Sequence, residues 1–196
     1  QPVVEVLSAW DRSYRLDSVG AVLWREIMAG FPDAAWVDAG DLFAEGFDPA
    51  DPLDAPRTLA PAPEGGHDPV VAAVGHALAA LDHAGVAIDA PLGEVQWAMR
   101  GDRRIPVQGG GEGEGMLNVL APVGALASSA IEPPLPQSVI VPGRERTGLG
   151  DGGYQVTYGT SFLMAVELTA EGPTGLGLLA YGQSGDPRSP HHSDGT

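Results

Sequence analysis

The sequence predicts an α+β fold in one unit, residues 1–196, mainly helical over 1–90 and made mainly of strands and loops over 91–196. Three observations predict it. Apolar residues recur at the helical period of about 3.6 as far as Leu81, and from Val95 onward they alternate at the strand period of about 2. The 28 Gly and 18 Pro are high for a compact domain and call for hairpins and long ordered loops. A hydrophobic content of 43% in 196 residues is enough to bury a sizeable core.

Each element has its own signal. Val3, Val6, Leu7 and Trp10 share one helical face, and the chain breaks near Ser13. A second helix is expected to start with Asp17 or Ser18 as N-cap, to carry Val19, Leu23 and Ile27 on one face, and to stop at Gly30 before Phe31-Pro32. Residues 32–66, rich in Pro, Asp and Gly with Phe43 and Phe47 among them, read as a long covering loop with a short helical turn. The third helix is the best defined: Asp68 as N-cap, Pro69 at the first position, an apolar stripe of Val70, Val71, Val74, Leu78 and Leu81, and Gly85 as stop.

Beyond residue 92 the chain is extended. Val95, Trp97 and Met99 alternate with other residues, and Ile105-Pro106-Val107 reads as an edge strand because proline cannot donate to a central ladder. Tyr154, Val156 and Tyr158 form a strand leading into a β-hairpin. There residues 161–169 and 174–181 pair about a turn at Ala170-Glu171-Gly172-Pro173. Phe162, Met164, Val166 and Leu168 fall on one strand face, expected to be buried, and Leu176, Leu178 and Ala180 alternate on the other strand.

Composition excludes several functions. Ten Lys+Arg against 26 Asp+Glu give a formal charge of −16, which opposes nucleic acid and anionic membranes as partners. Arg100, Arg103 and Arg104 form the one basic cluster, expected to be a solvated turn. No stretch approaches the run of about 18 apolar residues that a membrane helix needs. The absence of cysteine removes disulfides, thiolate metal sites and a cysteine nucleophile.

The motifs mostly have structural readings. The run Gly109 to Gly115 lacks a following Gly-Lys-Ser/Thr and contains Glu112 and Glu114, so it is read as a loop needing positive φ rather than a phosphate cradle. His76 and His83 are seven apart on the third helix, too far for a zinc pair, and His67 precedes the cap. His83 is placed instead at the negative end of the helix dipole. His191 and His192 lie near Asp186, Ser189 and Asp194, but linear proximity does not make a triad, and Gly182-Gln183-Ser184-Gly185 has the wrong spacing for a nucleophile elbow.

Several stretches, in order, resemble the distal β subunit of penicillin acylases, most of all the acyl-homoserine-lactone and aculeacin-type branch. They are Leu7-Ser8-Ala9-Trp10-Asp11 with Asp17-Ser18-Val19-Gly20-Ala21, and Leu92-Gly93-Glu94-Val95-Gln96 with Ile105-Pro106-Val107-Gln108-Gly109-Gly110. Tyr158-Gly159-Thr160-Ser161-Phe162, Val166-Glu167-Leu168, Tyr181-Gly182-Gln183-Ser184-Gly185 and Ser189-Pro190-His191 follow.

The resemblance implies a piece of an αββα sandwich of the N-terminal-nucleophile hydrolases. In that family a self-cleaving precursor exposes a serine at the β-subunit N-terminus, and the serine attacks an amide, its own α-amino group serving as base. This chain begins with Gln1 and contains no Gly-Ser junction, and its one asparagine, Asn118, does not sit in the family's oxyanion motif. No residue is therefore assigned a catalytic, cofactor-binding or metal-binding role, and no cofactor is expected. The expected partners are the α subunit, the N-terminal part of the β subunit and, for the parent enzyme, a small acyl amide. The expected location of the parent is secreted or periplasmic. The isolated piece is expected to self-associate through the hairpin. The competing readings are a stand-alone acidic interaction module without catalysis, and a metal-dependent hydrolase using the histidines.

Overall fold

The structure is a computed structural model and describes residues 2–31, 43–46, 48–54, 58–62, 64–66, 68–100, 103–111, 114, 116, 119–122, 141–144, 147–179 and 183–192. Helix α1 (Pro2–Ala9) ends at Trp10, whose indole Nε1 donates to the Ser13 carbonyl at 3.1 Å and to Ser18 Oγ at 3.0 Å. The Ser18 hydroxyl also lies 2.9 Å from Asp11 Oδ1 and 2.8 Å from the Ser13 carbonyl. These contacts tie up Ser18 in the turn, so neither it nor Asp17 caps the next helix. Helix α2 (Ala21–Ala29) starts instead at Gly20, with φ 110° and no side-chain cap. A Cβ at Gly20 would stand 2.7 Å from Trp10 Cβ, so the position needs glycine for both its backbone and its space. The expected stop at Gly30 holds.

Helix α3 (Pro69–Ala84) has the expected ends: Asp68 Oδ1 accepts from the Val70 N–H at 2.8 Å, and Gly85 closes the helix with φ 66°. Of the expected apolar stripe, Leu81 is buried and Val70, Val74 and Leu78 pack partly buried against the core, but Val71 departs from it and the fully buried face is rich in alanine. Ala73, Ala77, Ala80, Leu81 and Ala84 face the core, while Val71 is 67% exposed. The reason is close approach to α2: a Cβ at Gly30 would lie 2.9 Å from Ala73 Cα, a separation that only small residues permit. Of the region 32–66, the described parts hold turns between residues 48 and 54 and an isolated bridge between Phe43 and Leu59, whereas Phe47 lies outside the described residues.

A one-turn helix α4 (Leu92–Val95) takes Val95 out of the strand expected there and feeds β1 (Gln96–Arg100). With β2 (Arg103–Pro106), β3 (Leu120–Pro122), β4 (Leu149–Gly150) and β5 (Gly153–Gly159) it makes a sheet of order β2-β1-β5-β3, with β4 also paired to β5. Pro106 sits on the edge strand β2, opposite Trp97, as proline requires. Most pairs are antiparallel, but β1 and β5 run parallel with Gln96 opposite Tyr154. There Gly153, at φ 137°, comes so close to β1 that a Cβ would be 2.0 Å from the Val95 carbonyl oxygen. Leu23, Leu81, Leu92, Leu149 and Tyr154 fill the space between the helices and this sheet.

The hairpin forms as β6 (Phe162–Thr169) and β7 (Gly172–Leu179) in the expected antiparallel pairing. The turn is tighter than expected, Thr169 pairing with Gly172 so that Ala170 and Glu171 alone connect the strands. The larger correction concerns burial. Phe162, Met164, Val166 and Leu168 do share a face, but that face is exposed. Leu176 pairs with Ala165 on the opposite face, and Ala180 lies outside the described residues.

Candidate functional site

Where the apolar core meets the glycine-rich loop, two adjacent charges on α2, Arg25 and Glu26, are buried. Each is matched by a group brought from far along the chain. Arg25 Nε lies 2.9 Å from Glu114 Oε1 and 3.2 Å from Oε2, and its Nη1 donates to Gln96 Oε1 at 2.8 Å. The guanidinium also packs over the Tyr154 ring at 4.6 Å and the Tyr14 ring at 5.5 Å. Glu114 accepts the Tyr14 hydroxyl at 2.7 Å and the Gly111 N–H. Gln96 Nε2 donates to the carbonyls of Val107 at 2.8 Å and Gly109 at 3.0 Å. Burial and the Glu114 carboxylate together push the Tyr14 phenol far above its ordinary range. Burial works most strongly against the Arg25 charge, but the Glu114 carboxylate together with Tyr154 and Tyr14 outweighs it and holds the guanidinium protonated.

On the other side of the helix Tyr154 donates to Glu26 Oε1 at 2.8 Å. Glu26 Oε2 lies 3.3 Å from Arg144 Nε as an ion pair, without an aligned hydrogen bond. Arg144 is carried there by a tight turn, its N–H donating to the Val141 carbonyl at 2.9 Å, while Val141 donates to Leu149 at 2.8 Å. Burial raises the Glu26 carboxyl above its usual range, a push that the Tyr154 hydroxyl and the Arg144 charge only partly offset. Burial likewise carries Tyr154 well above a normal phenol.

Chemically this is a closed brace. The Glu114 carboxylate is already engaged by Tyr14, Arg25 and Gly111, and Glu26 is fully buried, so neither is presented to solvent as a base. What the brace does is clamp Gly109, Gly111 and Glu114 of the glycine-rich loop onto α2 and β1. The loop meets the expectation of positive φ at Gly109, with φ 117°. The glutamate that argued against a phosphate cradle proves to be the loop's anchor, while Glu112 lies outside the described residues.

The sequence-singled groups are not brought together. Arg103 and Arg104 are exposed, but they lie on the edge strand β2 rather than in the turn expected there, with the Arg104 guanidinium 4.1 Å over the Trp97 ring. His76 and His83 are exposed on α3, and His67 lies outside the described residues. Near the C-terminus the backbone carbonyl of His191 accepts from Gln183 at 2.8 Å, His192 Nδ1 lies 3.2 Å from the Ser184 carbonyl, and Asp186 pairs with Arg188 at 2.9 Å. Asp194 and Asn118 lie outside the described residues. Among the described residues no group of His, Cys, Asp and Glu could hold a metal ion, and no helix is long and apolar enough to cross a membrane. The brace residues were missed by sequence reasoning. The available signal was the pair Arg25-Glu26 inside the otherwise apolar run of α2, which demands buried counter-charges.

Comparison with known proteins places this geometry in a lineage. The family model for penicillin amidase matches residues 1–196. Acyl-homoserine lactone acylase PvdQ of Pseudomonas fluorescens is 32% identical over 100% of this chain and 22% of its own length. Aculeacin-A acylase of Actinoplanes utahensis is 36% identical over 97% of the chain and 20% of its own length. PvdQ of Pseudomonas savastanoi pv. phaseolicola is 29% identical over 100% and 21%. The chain thus spans about a fifth of the length of the curated relatives it matches.

Proposed function

Since the chain belongs to the penicillin amidase family over its full length, we propose that it is the C-terminal structural portion of an acylase that hydrolyses an acyl amide through an N-terminal serine lying outside these residues. The family has the N-terminal-nucleophile hydrolase fold, and the helices with mixed and antiparallel strands seen here are consistent with it. In the parent reaction the serine hydroxyl adds to the amide carbonyl, the tetrahedral oxyanion collapses with cleavage of the C–N bond and departure of the protonated amine, and water then hydrolyses the acyl-enzyme ester to release the acid and the serine. The acyl chain is of the kind carried by acyl-homoserine lactones, lipopeptides or β-lactams, and the parent enzyme is secreted or periplasmic.

The observation that carries this reading is the end-to-end similarity to proteins named as acylases, of which this chain spans 20–22%. The brace supports the structural role, because its buried charges are engaged by one another. The test is a panel of an acyl-homoserine lactone, an acylated lipopeptide and a penicillin offered to the full-length processed enzyme and to residues 1–196 alone. Turnover by the full-length enzyme only is expected. Turnover by residues 1–196 that survives repurification and is blocked by a serine-directed reagent overturns the reading.

A further inference from the structure

Asp151-Gly152 is one of two Asp-Gly pairs in the sequence, the other being Asp194-Gly195. It forms the whole connection between β4 and β5, because Leu149 pairs with Tyr154 and Gly150 with Gly153, leaving two residues to join the strands. Both are exposed, and a Cβ placed on Gly152, at φ 74°, would meet nothing within 4 Å. The Asp151 carboxyl therefore has room to swing over the following peptide. Gly153 has no such room, since a Cβ there would lie 2.0 Å from the Val95 carbonyl oxygen.

An aspartate followed by glycine carries its own modification chemistry, because no side chain on the next residue shields the peptide nitrogen from the carboxyl carbon. The Gly152 nitrogen adds to Cγ of Asp151. A C–N bond forms, the carboxyl C–OH bond breaks, and the hydroxyl leaves as water with the amide proton. A second water opens the cyclic imide. Cleavage at the Asp151 main-chain carbonyl leaves the chain running through Cγ, an isoaspartate with one more carbon in the backbone. Water is the only co-reactant.

The fold opposes the first step and stands to lose by the last. To attack, the nitrogen must shed its proton, and here the Gly152 N–H donates at 2.8 Å to the carbonyl of Ala84, the last residue of α3. That carbonyl is a helix-end acceptor without a partner inside the helix, and Ala84 is buried, so the bond opens only when the turn parts from α3. The residues flanking the turn both hold Glu26. Leu149, fully buried, accepts from Val141 at 2.8 Å and so fixes the turn that carries Arg144 to Glu26, while Tyr154 donates to Glu26 at 2.8 Å. A carbon added between them would meet a two-residue connection and a Gly153 with no slack. We propose that Asp151-Gly152 is a spontaneous modification site, an aspartate-to-isoaspartate site that the fold keeps slow by tying the Gly152 N–H to the end of α3.

The experiment uses the full-length protein, incubated at one mildly acidic pH in native buffer and in urea. Isoaspartate at 151 is read by peptide mapping with electron-transfer fragmentation, and Asp194-Gly195 in urea gives the rate of the unrestrained chemistry. Conversion at 151 is expected to match that rate in urea and to be at least about 10-fold slower in native buffer, with the Gly152 amide exchanging hydrogen at least about 10-fold more slowly than unfolded chain. Leu149→Ala loosens β4 and is expected to speed conversion in native buffer by at least about 5-fold. If that variant does not fold, the unsubstituted protein decides the matter through its two rates and its amide exchange. Conversion in native buffer at the urea rate, an unprotected Gly152 amide, or no isoaspartate at 151 in urea overturns the proposal. So does a folded Leu149→Ala variant that converts no faster than its parent.

Discussion

Replacing Glu114 by glutamine tests whether the buried brace holds the fold. The change keeps the shape of the side chain and removes one charge, leaving the Arg25 guanidinium, 8% exposed, beside a neutral amide. Gln96 Oε1 at 2.8 Å would remain as a neutral acceptor, and the two tyrosine rings would still flank the cation. Removing one partner of a buried ion pair costs about 3–5 kcal/mol, because the remaining charge stays desolvated. Unfolding of a chain of this size shifts by about 2–4 °C per kcal/mol, so the midpoint should fall by about 6–20 °C. Thermal melting of residues 1–196 followed by circular dichroism measures it. A second substitution makes the test sharper: Arg25→Met placed on Glu114→Gln removes the stranded charge, and the double variant should be less destabilised than the sum of the two singles by at least about 1 kcal/mol. Additive effects, or a Glu114→Gln midpoint within about 3 °C of the parent, would refute the claim that these two groups stabilise one another across the core.

Three further outcomes follow from the same geometry. Burial raises the Glu26 carboxyl, so the folded state holds that proton more tightly than the unfolded state, and this contribution to stability is present below the ordinary value of 4.5 and lost as pH rises through the raised value. Midpoints measured against pH should therefore fall more steeply above 4.5 in the parent than in Glu26→Gln, and parallel profiles would refute the assignment. Gly153→Ala places a Cβ 2.0 Å from the Val95 carbonyl at a φ of 137°, and should cost at least about 3 kcal/mol by separating β5 from β1, read as loss of soluble protein or of the melting transition. Asp68→Ala removes the cap from Val70 and Val71 and should cost about 1 kcal/mol, or about 2–4 °C, in the same melting assay.

The contrast between what the sequence disclosed and what it withheld follows the range of the interactions involved. The ends of α3 were legible because Asp68, Pro69 and Gly85 act on backbone groups within a few residues of themselves. The edge position of Pro106 was legible for the same reason, since a missing donor is a local property. The capping of α2 was misread because Ser18 has competing partners at Trp10, Asp11 and Ser13, and propensity does not say which wins. The alanine face of α3 and the exposure of Val71 were missed because the deciding fact, the approach of Gly30 at the end of α2 to Ala73, joins two separate elements. The brace lay further out of reach. Arg25 and Glu114 are 89 positions apart, and Glu26 and Tyr154 are 128 apart, so only folding brings them together.

The hairpin shows the same limit from the other direction. Its alternation predicted the pairing, its partners confirm the face shared by Phe162, Met164, Val166 and Leu168, and yet that face is bare. Periodicity states which side chains lie together; it does not state who covers them. In the body of the chain the cover is internal, since α2 and α3 close on each other and the sheet, and the buried charges are matched by residues of the same chain. In the hairpin one face is apolar, the other mixes Leu163, Ala165 and Leu176 with Glu167, Thr169 and Thr174, and the apolar face is closed by no described element. The two regions therefore fail in different ways. A charge removed from the brace leaves another stranded in a dry core, whereas a charge added to the exposed face of the hairpin stays in water and costs this chain little.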